Sequence, residues 1–340
     1  MVRSLVPLAA LLALTLLPRT HEAQAPGKDK EKAKPKAVGI PGYKKQVIQG
    51  FTLLIHESVY ENNDDPRWKR KPLDVLDLEL GTIVRVLPEK PVKALQRLLV
   101  WIEWEDTSDP DLAQGVVAKY YGVVGNLGMW SLAQNKHALK ANNVEVINMK
   151  SLTREHQPGT KFERCVLLHE MAHAVHHQVL DIRNQVVRRT YRQAMERGLY
   201  DEAKDVYGRT LRPPYAAKNE HEYFAEMTCA YLDKLHYFPF NADDLKSHDP
   251  AAYRLMEQTW GTRKQIETAL KARSEKEASR KLEQARVQYT LDRLEQGMAT
   301  LTLLINDFPD TKAAGTAKGW LERWKAEQQK KAPKKAAAGE

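Results

Sequence analysis

Thr160-Lys161-Phe162-Glu163-Arg164-Cys165-Val166-Leu167-Leu168-His169-Glu170-Met171-Ala172-His173-Ala174-Val175-His176-His177-Gln178-Val179 is the stretch on which the reading of this chain turns. Gln157-Pro158-Gly159 ahead of it is a turn, and Thr160 with Glu163 three residues on makes a capping box, so the pattern predicts a helix from about Lys161 to about Arg188. Cys165, Val166, Leu168, Ala172, Val175 and Val179 make that helix largely apolar, as expected of one buried beside a cleft. His169 and His173 are four apart and share a face, so both imidazoles can reach one ion, with Glu170 projecting beside them.

An HExxH pair is an incomplete site. Zinc that does hydrolysis needs a third protein ligand and an open position. A metzincin would carry Gly at position 176 and His at position 179, whereas this chain has His176 and Val179. His177 lies one turn past His173, but a straight helix does not bring residues 169, 173 and 177 to one ion, so His176 and His177 are read as surrounding or surface groups. A glutamate from a second helix remains. Asn219-Glu220-His221-Glu222-Tyr223-Phe224-Ala225-Glu226 follows the start signal Pro213-Pro214 and places Glu222 and Glu226 on one face. Glu222 is then the third ligand of one zinc per chain, and Glu226 the group that fixes a ligand imidazole. The competing reading makes Glu222 the partner of Asn219 in a capping box.

His169 to Val175, Tyr215 and Asn219 to Glu226 together resemble the catalytic domain of anthrax lethal factor and related gluzincin zinc metallopeptidases. The resemblance is carried by about residues 160 to 260. It implies an α+β, zincin-like domain built from a small sheet, the HExxH helix and a Glu-ligand helix. It also implies metal ligands His169, His173 and Glu222, with Glu170 as the base acting on a zinc-activated water. The tyrosine seven residues before the ligand glutamate falls on Tyr215, the expected donor to the oxyanion. Hydrolysis of a peptide or protein substrate follows, with the strand 144–149 as the edge that pairs with it. Tyr223 replaces one aromatic by another, and His221 is unusual beside the metal. The alternative is an exported binding protein whose metallopeptidase site is silent.

Outward from this core, Val47, Ile48, Phe51, Leu53 and Ile55 predict a strand, Leu73 to Val84 a helix that stops at Pro88, and Leu98 to Trp104 another strand. Gly115 to Gly128 has no readable pattern. Helix is expected again over 250–256, and the metallopeptidase domain is bounded at 45–262. From Arg263 to Gln296 the chain is helical and highly charged; Gly297 is expected to break it, with further helices over 298–308 and 313–324. Residues 263–325 resemble a single degenerate tetratricopeptide-type hairpin. One such unit cannot bury its own apolar face, which points to packing on the peptidase domain or on a protein partner.

The net charge of +9 over 340 residues sits largely in Lys28 to Lys45 and Lys325 to Lys335. Residues 26–44 and 326–340 are therefore read as a basic linker and a basic disordered tail, with no nucleic-acid motif between them. Arg3, the apolar run Leu5 to Leu17 and Ala23-Gln24-Ala25 read as a signal peptide over 1–25, giving a secreted or cell-envelope protein with no stable membrane span. Two cysteines, Cys165 and Cys229, are too few to frame a fold, and whether they pair is left open.

Overall fold

The computed structural model describes residues 40–123, 138–160 and 164–331. The signal peptide over 1–25, most of the basic linker and the end of the basic tail lie outside the described residues. The chain forms two compact units that divide after Arg263, one residue from the expected boundary.

The first unit is mixed α+β, built on a five-stranded sheet. Where one strand is expected, Tyr43–Ile48 (β1) and Phe51–His56 (β2) form an antiparallel hairpin. Gln49 and Gly50 both have positive φ, 51° and 81°, the two-residue turn that matches the twist of paired strands and that glycine makes accessible. The sheet continues through Leu99–Ile102 (β3), Ala118–Tyr120 (β4) and Val144–Val146 (β5) in the order β1-β2-β3-β5-β4. β3 runs parallel to both β2 and β5, and β4 antiparallel to β5. The strand 144–149 expected at an edge is therefore interior and only three residues long. The edge belongs to β4, which lies within the stretch that sequence left unread.

Helices cover this sheet: Glu57–Glu61 (α1), Pro72–Val86 (α2), Glu89–Leu95 (α3) and Met149–Glu155 (α4). The HExxH helix is Val166–Gln178 (α5), shorter at both ends than expected. Cys165 is its N-cap and supplies no side-chain bond; the orphan N–H groups of Val166 and Leu167 instead donate to Glu79 on α2, at 3.2 and 2.8 Å. Glu79 also accepts from the Cys165 thiol and lies 2.8 Å from His156 Nε2. Beyond Gln178 the chain turns through Asp181, whose φ is 72°, and Asn184 caps a new helix, Gln185–Glu196 (α6), by accepting from Val186 and Val187.

Because Glu79 is fully buried and satisfies four groups, Glu79→Ala is expected to cost about 3–5 kcal/mol, the range for stripping one side of a buried charged network. Urea unfolding of the full chain measures it. A loss below about 1 kcal/mol would mean that water replaces the carboxylate.

Ala203–Lys204 (β6) and Thr210–Leu211 (β7) form a small hairpin, followed by a 3-10 turn over Tyr215–Ala217. Glu220–Tyr231 (α7), Ala242–His248 (α8) and Pro250–Trp260 (α9) complete the unit. α5 lies between β4, α2 and α7, and α7 packs in turn on α6, α8 and α9. Tyr223, Phe224, Met227 and Tyr231 on α7 are buried, so the second helix is as enclosed as the first.

The second unit is formed by Arg263–Thr290 (α10), whose first residue still belongs to the first unit, with Leu294–Asp307 (α11) and Lys312–Lys331 (α12). The break between α10 and α11 falls at residues 291–293, where Asp292 has φ 57°. Gly297 lies inside α11, because a Cβ there would meet Trp324 at 2.9 Å; it permits close approach of the helices instead of ending one. Ala278 and Ala285 of α10 join Leu301, Leu304, Ala314 and Ala317 in one core. The hairpin thus closes its apolar face on a third helix of its own unit. Helix persists through Lys331, into the segment expected to be a disordered tail.

Candidate metal centre

Two helices bring three donor atoms to one point. α5 presents His169 and His173 one turn apart, and their Nε2 atoms stand 3.1 Å from each other. Asn219 starts α7 by accepting from the N–H groups of His221 and Glu222, both at 2.9 Å, which turns Glu222 toward α5. Glu222 Oε2 is 3.1 Å from His169 Nε2 and 3.1 Å from His173 Nε2. Atoms bound at about 2.0–2.1 Å to a tetrahedral zinc stand about 3.3 Å apart, so a triangle of this size fits the ion without rearrangement. Two imidazoles and a carboxylate are also the donor types that zinc takes.

The surroundings hold these groups in place. Glu226, one turn after Glu222, puts Oε1 2.6 Å from His169 Nδ1, on the far side of the ring from the convergence point. Tyr215 donates its hydroxyl to Glu222 Oε1 at 2.9 Å, and its ring lies 5.9 Å from that of His169. Lys218 reaches the same place, with Nζ 3.0 Å from the Tyr215 hydroxyl and 3.3 Å from Glu222 Oε1. Sequence reading passed over Lys218; its only signal was a spacing of four to Glu222, ordinary on any helix end.

Burial opposes a negative charge on Glu222, yet its hydrogen bonds with His169 and His173 hold its carboxyl far below the usual range. Burial likewise opposes a charge on His169, but its bonds to Cys229, Glu222 and Glu226 outweigh that and raise the imidazole well above its ordinary value. Burial raises the Tyr215 phenol and Lys218 only partly opposes it, so the hydroxyl remains a donor at neutral pH.

Glu170 is nearly buried and is not one of the convergent atoms. It lines both cavities that flank the centre, one of about 470 Å³ along β4 toward Tyr120 and His177, the other of about 240 Å³ toward Arg164 and Lys234. Ala118 of β4 borders both, so one of the sheet's two edge strands runs along the cleft.

His176 and His177 stay out of the centre. His177 Nδ1 is 2.9 Å from the Tyr120 hydroxyl, while His176 is fully buried against His221 and Phe224, and burial lowers its imidazole to about 3. Cys165 and Cys229 are buried free thiols, so the pairing left open by the sequence is not formed. A second acidic cluster, Glu103, Asp106 and Glu145, was not foreseen. Lys140 lies 3.6 Å from Glu103 and pairs more closely with Glu145, which offsets part of the cluster's charge and ties the end of β3 to β5.

If Glu226 orients His169, then Glu226→Gln should weaken zinc binding by about 10- to 100-fold, measured by competition with a chelator of known affinity. Complete loss of metal would instead give Glu226 the ligand role assigned to Glu222.

No family model, curated protein or solved structure matches this chain.

Proposed function

We propose that the chain is a zinc-dependent peptidase of zincin-like fold, exported through its N-terminal segment, with His169, His173 and Glu222 as ligands and Glu170 as base. The observation that carries this reading is the triangle of three donor atoms at 3.1 Å, set in a cleft that Glu170 lines. When bound, zinc would supply Lewis acidity, polarising a peptide carbonyl and making water nucleophilic at neutral pH. Glu170 takes the proton of the attacking water and passes it to the leaving amine. The Tyr215 hydroxyl turns from Glu222 to donate to the developing oxyanion, with the Lys218 ammonium behind it. Glu226 keeps His169 in the tautomer that leaves Nε2 free.

An extended substrate would add to the edge of β4 that pairs with no described strand, which borders the cleft, and not to the interior strand within 144–149. Among the described residues no helix is long and apolar enough to cross a membrane. Metal analysis of the purified full chain, paired with identification of cleaved bonds in a peptide mixture, tests the reading. About one zinc per chain and chelator-sensitive cleavage are expected. Zinc without any cleavage would favour the alternative, a silent site in a protein that works through partners of its C-terminal helices.

A further inference from the structure

The smaller cavity beside the centre has a chemical character of its own. Val166 and Leu235 line it as apolar residues, Arg164, Lys234 and His236 as basic ones, and the carboxylates that share the lining are Glu170 and Glu226, at the metal-centre end. The two cations differ in how far they are already neutralised. Arg164 spends Nε and Nη2 on Glu155, at 3.0 and 3.3 Å. Lys234 forms no ion pair with a described residue. Its neighbour Asp233 is taken by Arg263 at 2.5 Å, and Glu226 is taken by His169. The turn that ends α7 fixes where Lys234 stands: Asp233 has φ 60°, and the Lys234 N–H donates to the Cys229 carbonyl at 2.7 Å. Burial lowers the His236 imidazole, which leaves it a neutral hydrogen-bonding group.

A half-buried lysine that lines a cavity beside the reacting centre and forms no ion pair with a described residue is suited to one complement. We propose that this cavity is a carboxylate subsite, in which Lys234, backed by Arg164 and His236, selects substrates with an acidic side chain or a free C-terminal carboxylate next to the cleaved bond. The inference rests on the peptidase reading and adds the substrate class. The carboxylate supplies the missing charge, and the apolar walls take up the methylenes that carry it. Partial burial strengthens the pairing over that of a surface ion pair.

The test uses the zinc-loaded full chain and two peptidyl hydroxamates that differ only in Glu or Gln at the residue beside the metal-binding group. The Glu compound is expected to bind at least about tenfold more tightly, a difference that Lys234→Met removes and Lys234→Glu reverses. A third compound, with the neutral side chain but a free terminal carboxylate in place of the amide, separates the two sources of the charge. Tighter binding of this compound alone assigns the cavity to a chain terminus; tighter binding of the Glu compound assigns it to an internal acidic residue. Equal affinity for all three overturns the carboxylate subsite and leaves the metal cleft standing. Failure of every hydroxamate to bind zinc-loaded protein removes the open metal position, and with it the peptidase reading itself.

Discussion

Glu170→Gln is expected to keep the fold and the zinc while turnover of a cleavable peptide falls by about 10²- to 10⁴-fold, the contribution of a positioned general base. The geometry separates the two roles. The three atoms that converge belong to His169, His173 and Glu222, so a neutral amide at position 170 removes no ligand. Glu170 nevertheless lines the cavities on both sides of that point, where an attacking water and a leaving amine would have to pass. The variant keeps the side chain's size and its neighbours, leaving proton transfer as the property that changes. Single-turnover kinetics alongside zinc content checks the expectation. Cleavage at the parental rate with zinc bound would assign the base elsewhere.

Tyr215→Phe should lower kcat by about 100- to 1,000-fold, the usual cost of losing one oxyanion donor, with a smaller change in KM. Zinc affinity should fall less than about tenfold. That second figure follows from the hydroxyl's resting position, 2.9 Å from Glu222 Oε1: it steadies the ligand, but Lys218 steadies the same oxygen and stays behind in the variant. Tyr215 is 45% exposed and the variant keeps its ring, so little packing is lost with the oxygen. The split between kcat and metal affinity is the diagnostic. A fall in zinc affinity large enough to account for the lost turnover would make Tyr215 a support for Glu222 with no direct part in the reaction.

Local signals read well wherever the structure used local means. Asn219 starting α7, the apolar spacing in α2, and Pro250 opening α9 were all visible because each depends on residues within a turn of one another. The start of α5 at Val166 is set by the opposite means: its first N–H groups donate to Glu79, more than eighty residues earlier, while Glu163 of the capping box expected with Thr160 lies outside the described residues. β4 escaped because a three-residue edge strand in a glycine-containing stretch has no period to detect. Gly297 reads as a helix breaker until Trp324 is seen to require the space of its absent Cβ. Of the centre, the ligand candidates and Glu226 were legible through helical spacing. Lys218 and the Lys234 cavity were not, since a lysine gains meaning only from what it faces.

One consequence of dividing the donor atoms between α5 and α7 concerns stability. His169 and Glu222 are 53 residues apart in the chain, so an ion held by both would bind the folded state, which brings them together, and not the unfolded chain, which does not. By mass action, free zinc at about a hundred times its dissociation constant adds about 2.7 kcal/mol to the folded state. The melting temperature of the first unit should therefore climb with zinc and drop under chelation, while the second unit, which has its own core, melts at the same temperature in both.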